Sequence, residues 1–93
     1  MATYLMFGTL TQAARKAVSA KRTEDALALI KKHGGEFKAG YALLGEVDFV
    51  VILDLPDTEC AIQVSMGLSR LLDINFRTAP AVGIDEFDKL AAA

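Results

Sequence analysis

From Val47 to Leu55 the chain reads VDFVVILDL, and no other stretch limits its fold so tightly. Read with the two-residue period of a strand, Val47, Phe49, Val51, Leu53 and Leu55 share one face, while Asp48, Val50, Ile52 and Asp54 share the other. A strand with large aliphatic groups on both faces belongs in the middle of a sheet, with a layer packed on each side. The first predicted strand, Thr3 to Gly8, has the same character, because Tyr4, Leu5, Met6 and Phe7 leave neither face polar. Two such strands in a chain of 93 residues, 53% of them hydrophobic, need more cover than so small a domain supplies by itself.

The remaining elements follow from punctuation. Thr9 with Gln12 three residues on is a weak capping box, and helix-compatible residues then run to His33, broken near Ser19. The better-defined piece carries Ala26, Leu27 and Ile30 at helical spacing and stops at Gly34-Gly35, where glycine suits the left-handed position after a basic last turn. A second strand, Glu36 to Leu43, sets Phe37, Ala39, Tyr41 and Leu43 against Glu36, Lys38, Gly40 and Ala42. Leu44-Gly45-Glu46 turns the chain into the third strand, with the register of Tyr41 against Asp48 set by the turn length. Pro56 ends that strand and Asp57 caps a helix to about Leu72, whose expected inner stripe is Ile62, Ser65, Leu68, Ser69 and Leu72, with Ala61 and Gly67 small enough for close packing. Phe76 to Val82 is a last strand that Pro80 assigns to an edge, and Ile84 to Leu90 a short terminal helix.

The order β-α-β-β-α-β predicts one ferredoxin-like α+β domain over residues 1–93, a four-stranded antiparallel sheet with its helices on one face. The other face then presents Val50 and Ile52 beside either Tyr4 and Met6 or Leu5 and Phe7. That patch, on the order of several hundred Å², is too large to leave in water. A homo-oligomer, simplest as a dimer through the sheet face, is the expected solution.

Charge and motif content narrow the function classes. The formal net charge is −2 and the ten Lys and Arg are interleaved with twelve acidic residues, so no nucleic-acid partner is expected. The longest apolar runs fall far below the roughly 20 residues of a membrane span, and the start has no basic, apolar leader; the expectation is a cytoplasmic chain without a membrane partner. A single cysteine, Cys60, fits a reducing compartment and reads as a buried structural thiol. Paired histidines, Cys-x-x-Cys, phosphate loops and dinucleotide fingerprints are all missing, so neither a metal nor another cofactor is expected.

Tyr41-Ala42-Leu43-Leu44-Gly45-Glu46-Val47-Asp48, followed by Val50-Val51-Ile52 and Pro56-Asp57, resembles the GYD-domain family of small bacterial and archaeal proteins. Ala20-Lys21-Arg22, His33-Gly34-Gly35 and Phe76-Arg77-Thr78 sit where that family has similar residues, so the resemblance covers most of the chain. It implies a ferredoxin-like fold of the dimeric α/β-barrel type. The Tyr of the Gly-Tyr-Asp signature is replaced by Val47 ahead of Asp48, and the role of that phenol is not carried over. The family has no established activity, and related barrels range from cofactor-free oxygenases to haem-handling proteins and small-molecule sensors.

Four residues are the candidates for a ligand site. Asp48 is an acid at the start of a central strand, which must be solvated, paired or used; its bland role is to accept nearby main-chain N–H groups. Tyr41 can donate to a ligand or to Asp48, or fill the sheet edge. Arg77 can hold a carboxylate or phosphate, or pair with Asp54 or Glu36. His33, the one histidine, stands in a helix's last turn, where the helix end accounts for it. The apolar surplus without a catalytic constellation points to a homo-oligomeric module that binds a small apolar or aromatic molecule, or a protein partner, in an apolar cleft. The alternative is a cofactor-independent monooxygenase-like or isomerase-like enzyme using Asp48, with Tyr41 or His33, as acid and base. A purely structural assembly subunit would have no cavity.

Overall fold

Side chains cap three of the four helix starts. Thr11 accepts the Ala14 N–H ahead of α1 (Gln12–Lys16), Ser19 the Arg22 N–H ahead of α2 (Ala20–Lys32), and Asp57 the Cys60 N–H ahead of α3 (Thr58–Leu72). The first cap is thus Thr11 and not Thr9, which is still within strand β1 (Ala2–Leu10). α2 ends as the sequence predicts: Gly34 takes φ 77°, and the Gly34 and Gly35 N–H groups donate back to Lys31 and Ile30. The computed structural model describes residues 1–93.

Strands β2 (Glu36–Ala42), β3 (Phe49–Leu55) and β4 (Ile74–Ala81) join β1 in one antiparallel sheet of order β2-β3-β1-β4. This is the ferredoxin-like α+β arrangement, with the two doubly apolar strands in the centre and Pro80 on an edge strand, where its missing N–H costs no ladder bond. The first sheet face carries Tyr4, Met6, Leu53 and Leu55, which form one core with Ile30 of α2 and Cys60, Ala61, Val64 and Leu68 of α3. The inner stripe of α3 is therefore Cys60, Ala61, Val64 and Leu68. Ile62, expected inside, is exposed, because the helix is rotated from the predicted orientation and turns Val64 inward instead. Gly67 does allow close packing: a Cβ there would lie 3.1 Å from the Leu29 side chain of α2.

Register settles what the second face shows. Leu5 pairs with Ile52 and Ala79, Phe7 with Val50 and Arg77, and Thr3 with Asp54 and Ala81. Successive rows across the sheet therefore read Ala81-Thr3-Asp54-Glu36, Ala79-Leu5-Ile52-Ala39 and Arg77-Phe7-Val50-Tyr41. The first row is polar and internally bonded, with Thr3 Oγ1 donating to Asp54 Oδ1 at 2.8 Å and Lys38 Nζ lying 3.6 Å from Asp54. The next two are apolar apart from their ends, and flanking side chains in the plane of the sheet leave Leu5, Phe7, Val50 and Ile52 half-buried. Helix α4 (Ile84–Ala92) buries none of its residues and covers neither face.

A bulge in β2 changes the expected alternation. The ladder shifts between Phe37 and Ala39, so Phe37 opposes Leu53 on the helix-covered face while Ala39 and Tyr41 oppose Ile52 and Val50 on the second. Phe37 and Tyr41, predicted on one face, are on opposite faces. No helix is long and apolar enough to cross a membrane.

Candidate functional site

The helix-covered side of the sheet is not filled throughout. Between α2 and the β2–β3 half of the sheet lies a cavity of about 370 Å³, bordered by 19 residues of which 15 are hydrophobic. Its floor is Phe37, Gly40 and Val51, its roof Ala26, Leu27 and Ile30 of α2, and its far wall reaches Leu68 and Leu72 of α3. Gly40 has a specific place in it. A Cβ there would meet the Phe37 ring at 3.0 Å, so the bare backbone lets that ring lie along the floor.

Only one charged side chain borders this space, Arg22 in the first turns of α2. Its Nη2 donates to the Leu72 carbonyl at the end of α3, and none of the ion pairs in the protein reaches it. Its main-chain N–H is held by Ser19 Oγ at 3.2 Å. Ser19 and Thr23 are the other polar side chains at the border. Nothing local in the sequence distinguishes Arg22 from Arg15, Lys16 or Lys21; the signal is its place as the one charged side chain on the cavity border, which only the fold reveals.

The four residues expected from the sequence are not brought together. Asp48 takes the bland role: Oδ2 accepts the Leu10 N–H at 2.8 Å, its own N–H donates to Gly8, and Arg15 stands 4.0 Å away. It does not border the cavity. Tyr41 stands at the cavity's edge on β2, but its pairing with Val50 puts its side chain on the second face, 59% exposed. Arg77 ends the same cross-strand row on β4, three strands and so roughly 14 Å distant, and pairs with neither Asp54 nor Glu36. His33 caps α2 at the opposite end of that helix from Ser19, and its carbonyl accepts from Cys60 Sγ at 3.1 Å.

Asp48 is thus a strand-end support. Replacing it by alanine leaves the part-buried Leu10 N–H without its acceptor and is expected to lower stability by about 1–3 kcal/mol, while asparagine, which keeps an acceptor oxygen, costs less. Urea unfolding of both variants checks this; equal loss in the two would mean that the Leu10 bond contributes nothing.

Cys60 is buried in the core, and burial, with the Asp57 carboxylate adding to it, pushes its thiol above the ordinary 9.0. The neutral thiol is therefore the form the fold prefers. Its contribution to stability is fully present below about pH 9 and is lost as pH rises through the folded value, because the unfolded chain releases that proton first. Alkylation by iodoacetamide at pH 8 is expected to be at least about tenfold slower in the native protein than in urea, followed by mass spectrometry. Equal rates would show the thiol to be open.

The family profile described as GYD domain matches residues 4–91. No curated protein matches the chain. Among solved structures, the leucine response regulatory protein of Mycobacterium tuberculosis is similar with a TM-score of 0.59 at 12% identity, over 88% of this chain and 51% of that one. A feast or famine regulatory protein from M. tuberculosis complexed with L-methionine gives 0.61 at 13% identity, over 89% and 51%. A transcriptional regulator gives 0.59 at 13%, over the same shares. The chain spans about half the length of these proteins, and at such identities the likeness is one of fold.

Proposed function

The chain belongs to the GYD-domain family, and from that premise we propose that it is a non-catalytic, homodimeric module that binds a small organic molecule in the cavity under α2. The observation that carries this reading is the cavity itself, about 370 Å³ of mostly apolar space within a domain that otherwise packs its helices tightly enough to need Gly67. A subunit serving assembly alone has no reason to keep such a space open. One structurally similar regulatory protein is a complex with L-methionine, which supports a ligand-binding role for a domain of this shape.

The dimer joins the second sheet faces. Its apolar centre of Leu5, Phe7, Val50 and Ile52, bounded by the bonded Thr3-Asp54-Lys38 row and by Arg77, has the make-up of an interface core with a polar rim. What favours binding over the acid–base alternative is the position of Asp48. A general base must reach the substrate's proton, and this carboxylate is off the cavity and engaged with main chain.

Native mass spectrometry of the protein after exposure to a small-molecule extract tests the reading. A reproducible mass increment is expected with the unmodified chain and is expected to vanish with Ala26→Trp, which fills the roof of the cavity. An increment that survives that substitution, or none in repeated preparations, would overturn it.

A further inference from the structure

We propose that the ligand is a monocarboxylate with an apolar body of about ten carbons, its carboxylate held by the Arg22 guanidinium at the cavity border. This deepens the function proposed above and rests on it.

Size sets the first limit. At the roughly 30 Å³ that a water-sized group occupies in a liquid, a cavity of about 370 Å³ takes on the order of twelve non-hydrogen atoms. Lining chemistry sets the second. Fifteen of the 19 bordering residues are hydrophobic, so most of the ligand must be apolar, and Arg22 is the one charge.

That charge lacks a counter-ion. Arg22 is half-buried, engages the Leu72 carbonyl through Nη2, and is reached by no Asp or Glu, although acidic residues outnumber basic ones in the chain. A guanidinium has five N–H donors in a planar fork. With one used on Leu72, the rest suit a planar, two-oxygen acceptor, and a bound carboxylate would offset the cost of the unpaired cation. The Leu72 bond meanwhile restrains the side chain, so little freedom is lost on binding. The start of α2 adds a positive helix end on the same border, and Ser19, whose Oγ accepts from the Arg22 main chain, still has a hydroxyl proton to donate. A single cation matches a monoanion.

The same residues exclude a zwitterion. No Asp or Glu borders the cavity, so an α-ammonium group placed beside a carboxylate there would have no charged partner. A free amino acid is therefore a poor ligand for this site, although one similar structure holds L-methionine.

Decanoate, with twelve non-hydrogen atoms, its uncharged methyl ester and L-methionine are the probes, titrated by calorimetry and by amide NMR of Ala26, Leu27 and Val51. Decanoate is expected to bind the unmodified chain at least tenfold more tightly than methyl decanoate, and L-methionine not at all at the same concentrations. Arg22→Gln is expected to erase the preference for the acid while changing the ester's affinity less than twofold, and Arg22→Lys, which keeps the charge without the fork, to fall between. Equal affinity of acid and ester for the unmodified chain overturns the carboxylate proposal and leaves the cavity reading standing, a result that needs no variant to fold. Binding of L-methionine as tight as decanoate overturns it as well. If neither decanoate nor its ester moves the cavity signals, the carboxylate proposal fails, while the parent reading stands or falls separately on the extract experiment with Ala26→Trp.

Discussion

Leu53→Ala is expected to unfold a large part of the population near the temperature at which the unmodified chain is fully native. Leu53 has no solvent exposure, stands in the middle of β3, and pairs with Tyr4 on one side and Phe37 on the other. It belongs to the one core that ties the sheet to α2 and α3. Removing three carbons there forfeits their transfer from water and leaves a void that a central strand, fixed on both edges, cannot close. The expected loss is about 3–5 kcal/mol, against a total of roughly 5–15 kcal/mol for a domain of this size. The midpoint of thermal unfolding should fall by about 15–25 °C. Circular dichroism melts at one fixed protein concentration measure it, since the proposed dimerisation would make the midpoint concentration-dependent. A loss under about 1 kcal/mol would mean that this core has been wrongly assigned.

Ile52→Glu is expected to separate the proposed dimer while leaving the fold of each subunit in place. Ile52 lies at the centre of the second sheet face, in the row Ala79-Leu5-Ile52-Ala39, with no helix above it. In a lone subunit the carboxylate reaches water. In the proposed dimer it would be buried among apolar side chains at the centre of the sheet face, costing at least about 4 kcal/mol, or roughly a thousandfold in dissociation constant. Sedimentation equilibrium at micromolar concentration should give twice the 10.0 kDa subunit mass for the unmodified chain and the subunit mass for the variant. Ile62→Glu is the control, because Ile62 is 60% exposed on α3, away from that face, and its substitution should not change the mass. A lone subunit from the unmodified chain, or an Ile52→Glu variant that stays dimeric, would remove the sheet face as the interface.

The parts of this fold that could be read from the sequence are those governed by neighbours in the chain. Asp57 caps a helix because a short oxygen-bearing side chain reaches an N–H group three residues on, the break near Ser19 separates α1 from α2, and Gly34 ends α2 because it tolerates positive φ. The two central strands were legible because their apolar residues occupy both parities. Elements whose outcome depends on distant partners were not. The α3 stripe was misplaced at Ile62 because Ile62 and Val64 are equally apolar, and only the position of the sheet decides between them. The site is legible only in kind, as an apolar space. Asp48 drew notice as an acid among aliphatics, but its partner is an N–H 38 residues away. Arg22 carries no such mark, because its carbonyl partner lies 50 residues downstream and its place on the cavity border is set by the fold.

The bulge at Lys38 makes β2 a strand written in two phases. Before it, odd-numbered side chains look toward α2; after it, they look away. Loss of that single residue would leave a regular ladder with Phe37 still inward and Tyr41 still outward, whereas keeping it in an unbulged ladder would put both rings on one face. A relative one residue shorter here would therefore keep both rings where they are, and only one that retained the residue and lost the bulge would move a ring from one side of the sheet to the other.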